Sequence, residues 1–175
     1  MDDPVDTLLD QWHQQRPELD VTGLSVAVRV ELVAKLLRRG TEKALAKIGL
    51  KSWQYDVLSA LRRQGPPFEL PATQLARASF LSSGAMTTRI DNLETQGFVE
   101  RYPDPNDRRG VRVRLTASGR KIVDAALQAR LTAAQSGIRA LSARERKDIE
   151  SSLRKVLLAL APEDGLARAR LRANR

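Results

Sequence analysis

The sequence predicts a mainly α fold with a small β-wing, an α+β class, and three observations carry that expectation. Apolar residues recur at spacings of three and four along most of the chain, as in Val26, Val30, Val33, Leu36 and Leu37. A contrasting stretch alternates: Val111, Val113 and Leu115 flank Arg112 and Arg114, the pattern of a half-buried strand with a basic outer face. Between that strand and an extended run starting at Phe98-Val99, Tyr102-Pro103-Asp104-Pro105-Asn106-Asp107 reads as a turn, which puts Arg108 and Arg109 at a hairpin tip.

Each helix follows from its periodicity and its punctuation. Leu8, Leu9 and Trp12 mark a short amphipathic helix over 5–14, a lid or arm ended by Arg16-Pro17-Glu18-Leu19-Asp20, because proline disfavours helix in the residue before it. Thr22 is expected to cap a long helix to about Ile48, weakened at Gly40 and closed by Gly49. Ser52 is expected to cap a third helix through Leu61, with Trp53, Val57, Leu58 and Leu61 toward the core, and Gly65-Pro66-Pro67 breaks it. Pro71 suits the first turn of a short helix through Arg77. Ser82, Ser83 and Gly84 open the next helix, in which Met86, Ile90 and Leu93 form a core face, Thr87, Thr88 and Arg89 lie away from it, and Gly97 is the stop.

Beyond the hairpin, Thr116 starts a helix to about Gly137. Ser142-Ala143-Arg144-Glu145 has capping-box spacing ahead of Ile149, Leu153, Val156, Leu157 and Leu160, and Pro162 is the expected end of the fold. The organisation expected is an N-terminal arm and dimerisation helices over 1–50, a winged helix-turn-helix lobe over 51–116, C-terminal dimerisation helices over 117–162 and a basic tail over 163–175. The apolar stripes of the flanking helices exceed what so small a lobe can cover, which points to a symmetric homodimer.

Composition narrows the function classes. With 175 residues, 42% of them hydrophobic, the chain can bury a real core. Its net charge of +9 favours a polyanionic partner, because each phosphate met by Lys or Arg releases counterions; Arg168, Arg170, Arg172 and Arg175 of the tail supply four of those charges. There is no Cys, and His13 is the lone imidazole, so thiolate or zinc-type metal chemistry, and any cofactor built on it, is not expected. Glycine-rich phosphate loops and nucleophile elbows are missing too, so the chain does not read as an enzyme. No apolar run reaches the roughly 20 residues of a membrane span, and Met1-Asp2-Asp3 does not suit a signal peptide; the expectation is a soluble cytoplasmic protein with no membrane partner.

Three blocks in register then carry a family resemblance: Leu93-Glu94-Thr95-Gln96-Gly97-Phe98-Val99-Glu100-Arg101, Asp104-Pro105-Asn106-Asp107-Arg108-Arg109 and Leu115-Thr116-Ala117-Ser118-Gly119. With Leu75-Ala76-Arg77 and Ser82 to Thr87 before them, they resemble the MarR winged helix-turn-helix regulators. The resemblance implies a dimeric transcription factor, usually a repressor, with recognition helices in successive major grooves of a palindromic double-stranded DNA operator and wings in the flanking minor grooves. It implies DNA contacts from Ser82, Ser83, Gly84, Thr87, Thr88, Asp107, Arg108, Arg109 and Arg112. Residue chemistry agrees, since hydroxyls at a helix N-terminus suit phosphates and base edges, and arginines suit a narrow minor groove. The competing class is a ligand-independent architectural or protein-interaction winged helix.

Trp12 on the extra N-terminal helix, Asp56, Arg63 and Arg89 further resemble the urate-responsive subgroup of that family. That likeness implies a planar anion such as urate held between the dimer helices and the DNA lobe, lowering DNA affinity. In this reading an Asp56–Arg89 pair ties the third helix to the recognition helix until the anion competes for Arg89. Arginine forks and an aromatic plane are suited to such a ligand. Thr88 and Asn92 depart from the subgroup's recognition helix.

Overall fold

The computed structural model describes residues 2–79, 81–105 and 107–164, without the side chains of Arg108, Arg109 and 161–164. The order is α1 (Pro4–Gln15), α2 (Thr22–Ala46), α3 (Ser52–Arg62), β1 (Glu69–Pro71), α4 (Ala72–Ala78), α5 (Ser83–Thr95), β2 (Val99–Asp104), β3 (Asp107–Leu115), α6 (Ala117–Gly137) and α7 (Ala143–Asp164). The mostly helical chain with a small sheet agrees with the fold class read from the sequence. The basic tail expected over 163–175 falls largely outside the described residues.

One lobe holds the core. Tyr55, Val57, Leu58 and Leu61 of α3 pack with Leu75, Met86, Ile90, Leu93, Val99, Val113 and Leu115, and α6 closes the cluster with Val123 and Ala126. The expected core face of α5 is therefore the buried one: Met86, Ile90 and Leu93 are at most 2% exposed. Leu45 and Leu50 extend the cluster to the α2–α3 junction.

The sheet is antiparallel in the order β1-β3-β2. A hairpin forms with Val99 opposite Leu115, but the turn is shorter than the expected Tyr102–Asp107: Tyr102, Pro103 and Asp104 continue β2, and Asp107, Arg108 and Arg109 already belong to β3, beside an irregularity at Pro103/Asp104. Strand β1 was not anticipated. It has three residues, too few for a two-residue period to show, and it pairs only with β3 through Glu69↔Arg114, Leu70↔Val113 and Pro71↔Arg112. Pro71 accordingly ends a sheet-edge strand and occupies the N-cap of α4, a place where its missing N–H costs nothing.

The caps divide between expectation and correction. Thr116, Ser82 and Ser142 do cap: the Thr116 hydroxyl accepts from Gly119 N–H (3.0 Å), Ser82 Oγ from Ala85 N–H (3.3 Å), and Ser142 and Glu145 bond reciprocally. Thr22 and Ser52 do not. Each is instead the first residue of its helix; Asp20 Oδ1 accepts from Thr22 N–H (2.9 Å) and Gln54 Oε1 from Lys51 N–H (2.8 Å), so longer acceptors nearby take over the capping. Gly40 lies inside an unbroken α2, and α7 continues past Pro162 to Asp164, so neither residue makes the break expected of it.

The third sequence block has a clear physical content. Thr116 Oγ1 and Ser118 Oγ both donate to Gly97 O (2.7 and 2.6 Å), and Thr116 N–H donates to Phe98 O (3.1 Å), joining the start of α6 to the end of α5. A Cβ on Gly119 would lie 1.9 Å from Phe98 O, so only glycine allows that approach. Gly97 itself has φ 71°, the left-handed turn that ends α5.

Candidate nucleic-acid interface

Helix α5 presents one polar face to solvent. Ser82, Ser83, Gly84, Thr87 and Thr88 are all exposed around its N-terminal half, on the side opposite Met86, Ile90 and Leu93. Thr87 Oγ1 donates to Ser83 O (2.9 Å) and Thr88 Oγ1 to Gly84 O (3.3 Å). Their hydroxyl protons are thus held by the helix, leaving oxygen lone pairs and methyl groups outward, suited to base amino groups and to the thymine methyl. The first turn holds no acid, so the positive end of the helix dipole is uncompensated there.

Two polar clamps fix the other end of α5. Gln54, 3% exposed, donates from Nε2 to Gln96 Oε1 (2.9 Å) and Asn92 Oδ1 (3.3 Å), and Gln96 donates to Asn92 (3.0 Å). On the opposite flank Arg101 of β2 pairs with Asp91 and Glu94, with Nε 3.1 Å from Glu94 Oε2 and the Arg101 backbone N–H donating to Glu94 Oε1 (3.1 Å). These clamps consume the acids of α5 and set its angle relative to α3 and the wing. None of Gln54, Asn92, Gln96 or Arg101 stood out in the sequence as a positioning residue, because isolated polar residues on helices ordinarily face water.

At the wing, Asp107 is exposed and opposite Asp104 in the register, whereas the Arg108 and Arg109 side chains lie outside the described residues. The expected basic outer face of β3 is corrected. Arg112 bonds Glu69 (3.1 Å) and Asp104 (3.5 Å), and Arg114 bonds Glu69 (2.8 Å) with its guanidinium 4.6 Å from the Tyr102 ring centroid. A carboxylate delivered by β1 neutralises this face, and since β1 was not foreseen neither was its acid. Glu69 is held below the usual carboxylate range, first by the Tyr102 hydroxyl close by and then by Arg114 and Arg112. The Tyr102 hydroxyl is buried and makes no hydrogen bond of good geometry, whereas both guanidiniums contact the carboxylate directly.

The four residues of the expected ligand set are spread over three elements. Trp12 on α1 is 44% exposed, Asp56 on α3 is exposed, Arg63 bonds Ser59 Oγ (3.1 Å), and Arg89 on α5 is half-buried. The expected Asp56–Arg89 pair is not formed among the described residues. Arg89 instead lies over the Trp53 ring, 5.3 Å from its centroid, because α3 turns Trp53 toward α5 and leaves Asp56 in solvent. On α2 and α3, an open hollow of about 480 Å³ is lined by Glu42, Ala46, Leu50, Lys51, Ser52 and Trp53, and none of the four expected residues lines it.

Outside this lobe, large apolar side chains remain uncovered. Val26, Val33 and Leu36 of α2 are 54–62% exposed, and Leu157, Leu158 and Leu160 of α7 are 56–66% exposed. Helix α7 makes no substantial contact with the rest of its own chain, while α2 lies along α6 and carries α1, tied by Arg29 to Asp3 (2.8 Å) and to Asp6. Among the described residues no helix is long and apolar enough to cross a membrane.

Comparison with known proteins agrees with this geometry. Residues 48–110 match the MarR family model. The chain is 32% identical over 120 residues to the HTH-type transcriptional regulator PecS of Dickeya dadantii, covering 69% of this chain and 72% of that protein. It is 31% identical over 143 residues to the HTH-type transcriptional repressor NicR of Pseudomonas putida, covering 79% and 89%. A mutant MarR of Escherichia coli complexed with operator DNA superimposes with a TM-score of 0.65 at 28% identity, over 83% of this chain and 97% of that one.

Proposed function

The chain belongs to the MarR family of DNA-binding, winged-helix transcriptional regulators, and from that premise we propose that it acts as a homodimeric repressor on a palindromic operator, released by a small planar anion such as urate. The observation that carries the dimer is α7, whose 22 residues expose Ile149, Leu153, Val156, Leu157 and Leu160 and make no substantial contact with the other elements of the described chain. Burying such a face against a second copy supplies the association energy, and a two-fold axis matches the symmetry of a palindrome. Repression is supported by the NicR relative, which is named a repressor.

In the complex, Ser82, Ser83, Gly84, Thr87 and Thr88 meet phosphates and base edges of the major groove, and Asp107, Arg108 and Arg109 meet the flanking minor groove. Arg112, expected in the same set, is engaged by Glu69 and Asp104. The effector reading rests on Trp12, Asp56, Arg63 and Arg89. Its pivot is Arg89: an anion drawing that guanidinium off Trp53 would loosen α5 from α3.

The test is anisotropy titration of a duplex from the protein's own upstream region, at fixed salt, with and without urate. Sequence-selective binding that urate weakens in the parent, but not in Arg89→Ala or Trp12→Phe, supports the whole reading. Selective binding with equal urate response in parent and Arg89→Ala removes the effector site and leaves the repressor. A footprint with no sequence preference would replace it with an architectural role.

A further inference from the structure

Glu69 sits on the edge strand β1, directly across from Arg114. Arg112 and Arg114 are two apart on β3 and project from the same face, away from the buried Val113 and Leu115. The Glu69 side chain, 14% exposed, takes one guanidinium on each oxygen: Arg112 Nε on Oε1 at 3.1 Å and Arg114 Nε on Oε2 at 2.8 Å. Asp104 adds a contact to Arg112 at 3.5 Å, and Glu100 lies 3.9 Å from Arg114. On a chain of net charge +9, the described side chains of the wing sheet's outer face therefore set Arg112 and Arg114 against Glu69, Asp104 and Glu100.

A carboxylate offers arginine what a phosphodiester offers it, one negative charge shared by two acceptor oxygens. These pairs are half-buried, so salt screens them less than it screens an exposed arginine meeting DNA. We propose that Glu69 is a specificity-determining residue of the DNA-binding lobe: it occupies Arg112 and Arg114 in place of backbone phosphate, and so keeps two cations out of sequence-independent DNA binding. Phosphate contacts supply nearly all nonspecific affinity and carry no sequence information, so withholding two of them lowers binding to random DNA while leaving base readout by α5 untouched. The inference builds on the DNA contact proposed above.

The full chain is titrated against a random-sequence duplex and an operator duplex over a series of KCl concentrations. Glu69→Gln, nearly isosteric and neutral, is expected to bind the random duplex about tenfold or more tighter at low salt, with a salt slope steeper by about one to two, and to lose operator selectivity. The triple variant Glu69→Gln, Arg112→Gln, Arg114→Gln is expected to return to the parent slope. Unchanged or weaker random-duplex binding by folded Glu69→Gln overturns the proposal. If Glu69→Gln fails to fold, the triple variant, which leaves no unpaired charge among these three, decides: a slope shallower than the parent's by about two would mean the arginines already meet phosphate. A parent that binds neither duplex would remove the DNA contact and this inference together, whereas a parent that binds with an unaltered Glu69→Gln removes only the inference.

Discussion

Replacing Gly119 with alanine tests the joint between recognition helix and wing, and its sign is opposite to what helix propensity alone predicts. In the first turn of α6, Gly→Ala should gain at most about 1 kcal/mol. Against this, the new methyl would stand 1.9 Å from Phe98 O, and its next contacts, Phe98 C at 2.9 Å and Cα at 3.2 Å, are also backbone. No rotamer relieves such a clash; α6 must move off the α5–β2 junction. Overpacking of this kind costs about 1–3 kcal/mol or more, and stretching the Thr116 N–H to Phe98 O bond costs about 1 kcal/mol more. The expected net loss is about 1–3 kcal/mol, a fall in melting temperature of roughly 2–4 °C per kcal/mol for a chain of this size. Urea denaturation at matched protein concentration, followed by circular dichroism, reads it. Stability equal to or above the parent would refute the close approach and with it the physical account of this block.

Other expectations follow from the same structure. Leu157→Glu, at a side chain 59% exposed in the single chain, should shift the proposed dimer toward monomer by about 3–6 kcal/mol, counting both copies; sedimentation equilibrium showing an unchanged dimer would exclude α7 from the interface. Gln54→Leu strands the Lys51 N–H and frees Asn92 and Gln96, costing about 1–3 kcal/mol and weakening operator binding beyond what lost stability explains; full operator affinity in the folded variant would deny the clamp its role. Arg29 lowers the pKa of Asp3, and the Asp3 N–H, then Arg29, lowers that of Asp6. Both folded values lie below the ordinary 3.8, so this docking of α1 is intact above that pH and is lost as pH falls through the lower, folded values. Trp12 fluorescence in a Trp53→Phe background should report the change, and Arg29→Gln should move it to higher pH; superimposable profiles would count against the tie. Finally, Arg109→Ala should flatten the salt slope of DNA binding by about one unit, and an unaltered slope would take Arg109 out of the interface.

Helices and hairpin were legible because their signals are redundant: Met86, Ile90 and Leu93 mark a buried face, Gly97 a stop, and Val111, Val113 and Leu115 an alternating strand. What escaped was everything dependent on contacts distant in sequence. Strand β1 exists because β3 offers it a partner some 45 residues away, and Glu69, arriving with it, turns an apparently basic face into an ion-paired one. Gln54 reads as a surface amide until Asn92 and Gln96 are seen across from it. The Asp56–Arg89 pair was inferred from a resemblance, and Trp53, one turn earlier on α3, takes the guanidinium instead.

The central claim is that two copies of this chain set paired α5 helices and wings on one face of a duplex. A footprint on the upstream operator, combined with the sedimentation mass of the complex, tests it most directly. The account predicts two chains on one bounded site whose half-sites lie about one helical turn apart, around 34–36 Å. One chain per site, or protection that spreads without a boundary, would contradict it.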